Sequence, residues 1–180
     1  MIAFNSFLIL LTAFLLVFLQ SAVNGLLGAQ IDLLPALMVY AGLTTGPATV
    51  ALLALCGGLW LDSLSTSPLG LSVLPLAAIG GIILQRRDLI LRDQAFAQFV
   101  IGLAASFAAP ATSLLLLLTA GHTPLLGWGT LWQLMVMTLA GGIATPVIFR
   151  AFALLIRAFD YREVVGTSFR PDREIRRGRF

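Results

Sequence analysis

The sequence predicts an all-α protein, a polytopic membrane helical bundle with six transmembrane helices, a short hairpin between the second and third, and a polar tail. Three observations carry that expectation. Of 180 residues, 59% are hydrophobic and only 11% are charged, against about 25% in a soluble domain, and the mean hydropathy is +0.99. The uncharged stretches match the roughly 20 apolar residues that span a bilayer core. Every basic residue is Arg, and all 11 fall in a loop near the middle of the chain, near the end of the last apolar run or in the C-terminal segment.

The first helix is expected over Ile2–Leu27, where Asn5, Gln20 and Asn24 are the only strongly polar side chains. It lacks a basic leading segment and exceeds the 7 to 15 apolar residues of a signal peptide, so it reads as a retained anchor. Asp32 precedes Leu33, Leu34 and Pro35, an arrangement that suits an acid at the start of a helix with Pro tolerated in its first turn. That second helix runs to about Leu43, roughly half a bilayer at about 1.5 Å per residue. Thr44, Thr45, Gly46 and Pro47 interrupt it, and a third helix follows over Pro47–Leu61. The pair is either two short crossings or a re-entrant hairpin buried against its neighbours.

In the polar turn after the third helix, Ser67 as N-cap and Pro68 at the first helical position open a fourth helix that reaches about Leu84. A charged loop with Arg86, Arg87 and Arg92 leads to the fifth helix, Ala95–Ala120. There Gly102 and Ser106, Ala104 and Ala108, and Ala105 and Ala109 are spaced by four, a small-residue face suited to close helix contact. The sixth helix starts near Trp128 and passes Arg150 to end near Arg157. Residues 1–157 thus form the transmembrane domain and 158–180 an Arg-rich tail.

The loop at 86–93 and the tail are separated by two crossings and share a side, which the positive-inside rule makes the cytoplasm. Both termini are then cytoplasmic, with Arg86, Arg87, Arg92, Arg150 and Arg157 setting the topology. Asp32, Asp62 and His122 fall outside, and Trp60, Trp128 and Trp132 gather at the outer interface, where aromatic belts form.

Asp62 with its Ser/Thr turn is the leading candidate site, since carboxylates near a membrane are costly. Its role is either structural, bonding its own turn, or contact with a partner. A catalytic dyad of Asp32 and Asp62 lacks the Asn- and Gly-rich segments that accompany the aspartates of lipoprotein signal peptidases. The single Cys56 and the single His122 have no partners at metal-ligand spacing. Gly-x-Ser-x-Gly, His-Glu-x-x-His and Walker motifs are absent from the sequence, so no enzymatic activity, cofactor, metal or nucleic-acid partner is expected. The Arg-rich tail suits anionic membrane lipids, an acidic partner, or topology alone.

Three motifs then give a resemblance: Asp32-Leu33-Leu34-Pro35 opening the second helix, Gly58 with Asp62 four residues on, and Ser67-Pro68-Leu69-Gly70 ahead of the fourth helix. On these the chain resembles the rod shape-determining protein MreD family over about residues 4–155. The resemblance implies a non-enzymatic scaffold of the bacterial inner membrane, acting in cell elongation and lateral peptidoglycan synthesis. Its implied partners are MreC and the complex of RodA with its transpeptidase. Such proteins are similar in fold to the substrate-binding subunits of energy-coupling-factor vitamin transporters, which are the alternative reading. Those subunits usually carry Ala-x-x-x-Ala in the first helix, and no Ala between Ile2 and Leu27 has Ala at the fourth position after it.

Overall fold

A computed structural model describes residues 2–27, 31–65, 69–87, 94–119 and 127–160. These form six helices, with no strand among the described residues: α1 (Ile2–Leu27), α2 (Leu34–Thr44), α3 (Pro47–Leu64), α4 (Val73–Arg86), α5 (Ala95–Thr119) and α6 (Trp128–Asp160). The tail beyond Asp160 lies outside the described residues, as do Arg92 and His122.

The bundle is assembled around α2. Its sequence is apolar on every side, the pattern of a helix surrounded by protein rather than of one with a solvent face. Every residue from Leu34 to Leu43 is buried, and α2 touches each of the other five helices. Leu34, Leu37, Met38 and Leu43 are among the largest fully buried side chains. The 11 residues of α2 cover only about 16 Å, too short for a hydrocarbon core of about 30 Å. Burial of Leu34 to Leu43 in protein makes so short a helix tolerable at membrane depth.

Three helices are long and apolar enough to cross a membrane: Pro47–Leu64, Ala95–Thr119 and Trp128–Arg157. They mark the chain as a membrane protein. Ser6–Ala22, Leu34–Thr44 and Val73–Arg86 are apolar but shorter. By length and composition the described residues therefore support three crossings where the sequence leads one to expect six. For α2 and α4 the difference arises because the breaks at residues 45–46 and 69–72 bound helices of 11 and 14 residues, below spanning length.

Outward faces fit a lipid surround. Leu131, Met135, Leu139, Ile143 and Val147 form an exposed stripe along α6, repeating every four residues as one helical face requires. Phe7, Leu15, Phe18 and Leu19 do the same on α1. Exposure of this many large apolar side chains is consistent with burial in hydrocarbon rather than contact with water.

Several boundaries differ from expectation. The third helix continues three residues past Leu61, so Asp62 stands in its last turn rather than beyond it. The fourth begins at Val73, not Pro68. A turn at residues 69–72 intervenes, and Gly70 has φ +91°, a left-handed conformation open to glycine at little cost. Ser67 and Pro68 lie outside the described residues. The last helix reaches Asp160, three residues beyond Arg157, and α5 and α6 run as single helices through Pro110 and Pro146.

The small-residue face on α5 is real but rotated. Gly102, Ala105, Ser106 and Ala109 are buried, whereas Ala104 is exposed and Ala108 only half-buried. The buried face therefore follows the spacing 102, 105, 106, 109, with Gly102 and Ser106 against α6, and Ala104 points away from it. A Cβ at Gly102 would overlap Thr145 Oγ1, and one at Gly141 would overlap Ser106 Oγ. Thr145 Oγ1 donates to Gly141 O (2.8 Å), which satisfies a hydroxyl inside the seam without a partner on α5.

Candidate functional site at one end of the bundle

Two carboxylates stand at the same end of the molecule and are held differently. Asp62 is 2% exposed. Its Oδ2 accepts the backbone N–H groups of Gly70 (2.8 Å) and Ser72 (3.2 Å), so one side chain closes the α3–α4 connection across eight to ten residues. Ser65 completes the joint: its backbone N–H and its hydroxyl both donate to Asp62 O, at 3.2 and 3.3 Å. Asp62 Oδ1 is buried without a hydrogen-bond partner among the described residues.

Gly58 explains how the turn comes so close. A Cβ there would lie 2.8 Å from Val73 Cα and 2.9 Å from Val73 N, so only glycine lets α3 pass the start of α4 at this distance. Gly58 and Asp62, one helical turn apart, thus work together. The first admits the α4 backbone, and the second binds the loop that leads into it.

Asp32 is placed where α1 hands the chain to α2. Its Oδ1 accepts the Leu34 N–H (3.0 Å), and Gln20 Oε1 on α1 accepts the Leu33 N–H (3.0 Å). These two acceptors satisfy N–H groups that the start of a helix leaves without partners. Pro35 lies within the first turn of α2, where the absence of an N–H costs nothing. The Asp32 carboxyl precedes α2 and lies outside the three spanning helices. Desolvation by the surrounding protein pushes it up to about 6, with the Leu34 N–H pulling the other way.

A cavity of about 550 Å³ opens at this end, walled by the last turns of α1 and α3, the first turns of α4 and α6, the residues before α2, and the far half of α5. Gln20, Ser21, Asp32, Ser65, Ser72 and Gln133 give it polar groups, and it falls within the roughly 300–1,000 Å³ of ligand sites. Asp62 does not line it. The two carboxylates share no hydrogen-bond partner, so the expected site splits into a joint without access and a carboxylate on a cavity. Sequence alone does not reveal the second of these as a pocket. Its signal is present only in part, as Gln20 and Asp32 in otherwise apolar surroundings.

Arg86 and Arg87 at the end of α4, and Arg150 and Arg157 in the last third of α6, belong to the helix ends away from the cavity. Trp128 and Trp132, 84% and 62% exposed, belong to the cavity end, as does Trp60 near the end of α3, which meets Phe14 edge-on at 5.2 Å. No group of three or more His, Cys, Asp or Glu comes together among the described residues.

The fold and this site define a class: an α-helical membrane protein with a short helix buried at its centre and a polar-lined cavity at one end. No family model, curated protein or solved structure matches the chain.

Proposed function

We propose that the chain is a non-enzymatic scaffold of the bacterial inner membrane, working in cell elongation by binding MreC and, with it, RodA and its transpeptidase. The observation that carries this reading is the convergence of the residues behind the MreD resemblance. Asp32 and Pro35 open α2, Gly58 and Asp62 fix the α3–α4 joint, and Gly70 supplies its left-handed turn. They gather at one end of the bundle, where Gly58, Asp62 and Gly70 hold the α3–α4 joint and Asp32 and Pro35 set the entry to α2. A scaffold needs such a fixed surface, and its contacts within a bilayer depend on close packing rather than on chemistry.

The membrane arrangement proposed with it has six membrane segments, α2 and α3 being either two crossings or a re-entrant hairpin, and both termini in the cytoplasm. It is supported by the separation of Arg-bearing helix ends from Trp-bearing ones. Alkaline phosphatase fused after Ser65 is expected to be active, and fused after Arg87 or Phe180 inactive. Activity after Arg87 would reverse the orientation or change the number of segments.

The alternative, a substrate-binding subunit of an energy-coupling-factor vitamin transporter, is favoured by one observation, the cavity itself. Affinity purification from native membranes separates the two. MreC and cell-wall synthases recovered with the chain support the scaffold, and an ATPase-linked coupling subunit recovered in their place supports the transporter.

A further inference from the structure

Among the described residues, the cavity carries one sign of charge and nothing to balance it. Asp32 lines it, and the Leu34 N–H engages only one oxygen of that carboxylate. No Arg is among the described residues lining the cavity, and the chain contains no Lys at all. A carboxylate partly withdrawn from water with no counter-charge favours either a proton or a cation beside it.

A second acceptor stands in the same wall. Ser113 Oγ spends its hydrogen on Ala109 O (3.1 Å), leaving oxygen lone pairs for a donor from the cavity. The α5 and α6 walls carry Leu114, Leu117, Leu134 and Met137 beside the polar Ser113, Thr130 and Gln133. Leucine surfaces take an apolar body, and a methionine adapts to its shape.

We infer that this cavity is a binding site for a small organic amine, its ammonium group against Asp32 and its apolar body between the α5 and α6 walls. The combination selects against two other classes. A carboxylate or phosphate would meet Asp32 without a compensating cation among the described residues. An inorganic cation would gain one carboxylate and otherwise only neutral oxygens in exchange for its hydration, and would leave the apolar walls unfilled. The amine can come from a free molecule or from an aminophospholipid headgroup, since both present the same ammonium. The inference is independent of whether the chain serves as scaffold or transporter subunit, because it concerns the cavity and not the partner.

The test uses the full chain in phosphatidylglycerol nanodiscs, which supply no amine, with 2-phenylethylamine, 2-phenylethanol and phenylacetate as probes at pH 7.5. Calorimetric titration is expected to give saturable binding of the amine, at least tenfold weaker binding of the alcohol, and none of the acid. Asp32→Asn keeps an acceptor for the Leu34 N–H and is expected to weaken the amine at least tenfold while leaving the alcohol unchanged. Leu114→Trp, which fills the cavity and leaves Asp32 in place, is expected to abolish both. Exchanging part of the lipid for phosphatidylethanolamine separates the sources: a fall in apparent amine affinity identifies the headgroup as an occupant, and an unchanged affinity identifies a free amine. Equal binding of amine and alcohol by the unmodified protein, or no binding of either, would overturn the inference. So would amine affinity unchanged in Asp32→Asn. Failure here would leave the recovery of MreC untouched, so the two readings fail separately.

Discussion

Asp62 and Asp32 sit at one end of the same bundle, and each accepts backbone N–H groups near a helix start, yet they do opposite things. Asp62 is sealed, bridges eight to ten residues and lies off the cavity. Asp32 bonds two residues away, keeps an oxygen unbonded by the Leu34 contact and lines the cavity. The lesson is that a carboxylate's role follows from where its second oxygen goes. Asp62 Oδ1 is also without a hydrogen-bond partner among the described residues, but it is buried off the cavity, so a ligand cannot reach it, however costly its presence near a membrane.

The largest effect is expected from removing the joint. Asp62→Leu leaves the Gly70 and Ser72 N–H groups without their acceptor and should cost roughly 3–5 kcal/mol, read as loss of folded protein in membranes. Asp62→Asn retains an acceptor oxygen and should cost roughly 1–2 kcal/mol. Equal losses from both would mean that the charge, not the acceptor, matters, and would make Asp62 a site after all.

Next comes the approach that the joint depends on. Gly58→Ala places a Cβ against Val73 backbone atoms, which cannot rotate away as a side chain could, and should cost about 1–3 kcal/mol. At Gly81, where a Cβ would meet nothing, the same change should be neutral or gain up to about 1 kcal/mol from helix propensity. Thermal unfolding in detergent compares them directly. Equal stability of the two variants would show that α3 and α4 are not held as close as Gly58 allows.

The same logic tests the rotated face of α5. Gly102→Leu drives a side chain into Thr145 and should lower folded protein in membranes, whereas Ala104→Leu adds surface to an exposed position and should change little. A large loss from Ala104→Leu alone would move the helix contact back to the face that the fourfold spacing first indicated.

The smallest effect belongs to Asp32, and its sign is reversed. Its carboxyl is raised from 3.8 to about 6, so folding favours the protonated form. The stability this contributes is fully present below pH 3.8 and is lost as pH rises through about 6. Asp32→Asn removes that dependence, and at pH 7 it should be more stable than the unmodified chain by on the order of 1–2 kcal/mol, screening included. Unfolding midpoints at pH 4 and pH 7 check it. If the variant is less stable at pH 7, Asp32 is as structural as Asp62 and the comparison collapses.

Much of the architecture was legible along the chain because its causes are local. Length of apolar run and the positions of Pro and Gly set the number of helices, and the hairpin broke at Thr45 and Gly46 as those residues require. The sequence by itself also determined that Gly58, Asp62 and Gly70 stand close together around one polar turn, since a glycine and an acid one helical turn apart lead directly into it. Tertiary structure decided the rest. That α2 is the hub depends on five neighbours coming together around it, and its uniform apolarity reads equally well as a lipid-exposed helix until they do. The choice between Ala104 and Ala105 as the inward residue needed the rotation of α5 against α6, which fourfold spacing leaves open because three parallel rows of small residues satisfy it. The division of labour between the two aspartates came last, because access to a carboxylate is set by the walls around it, and those walls are built from helices far apart in sequence.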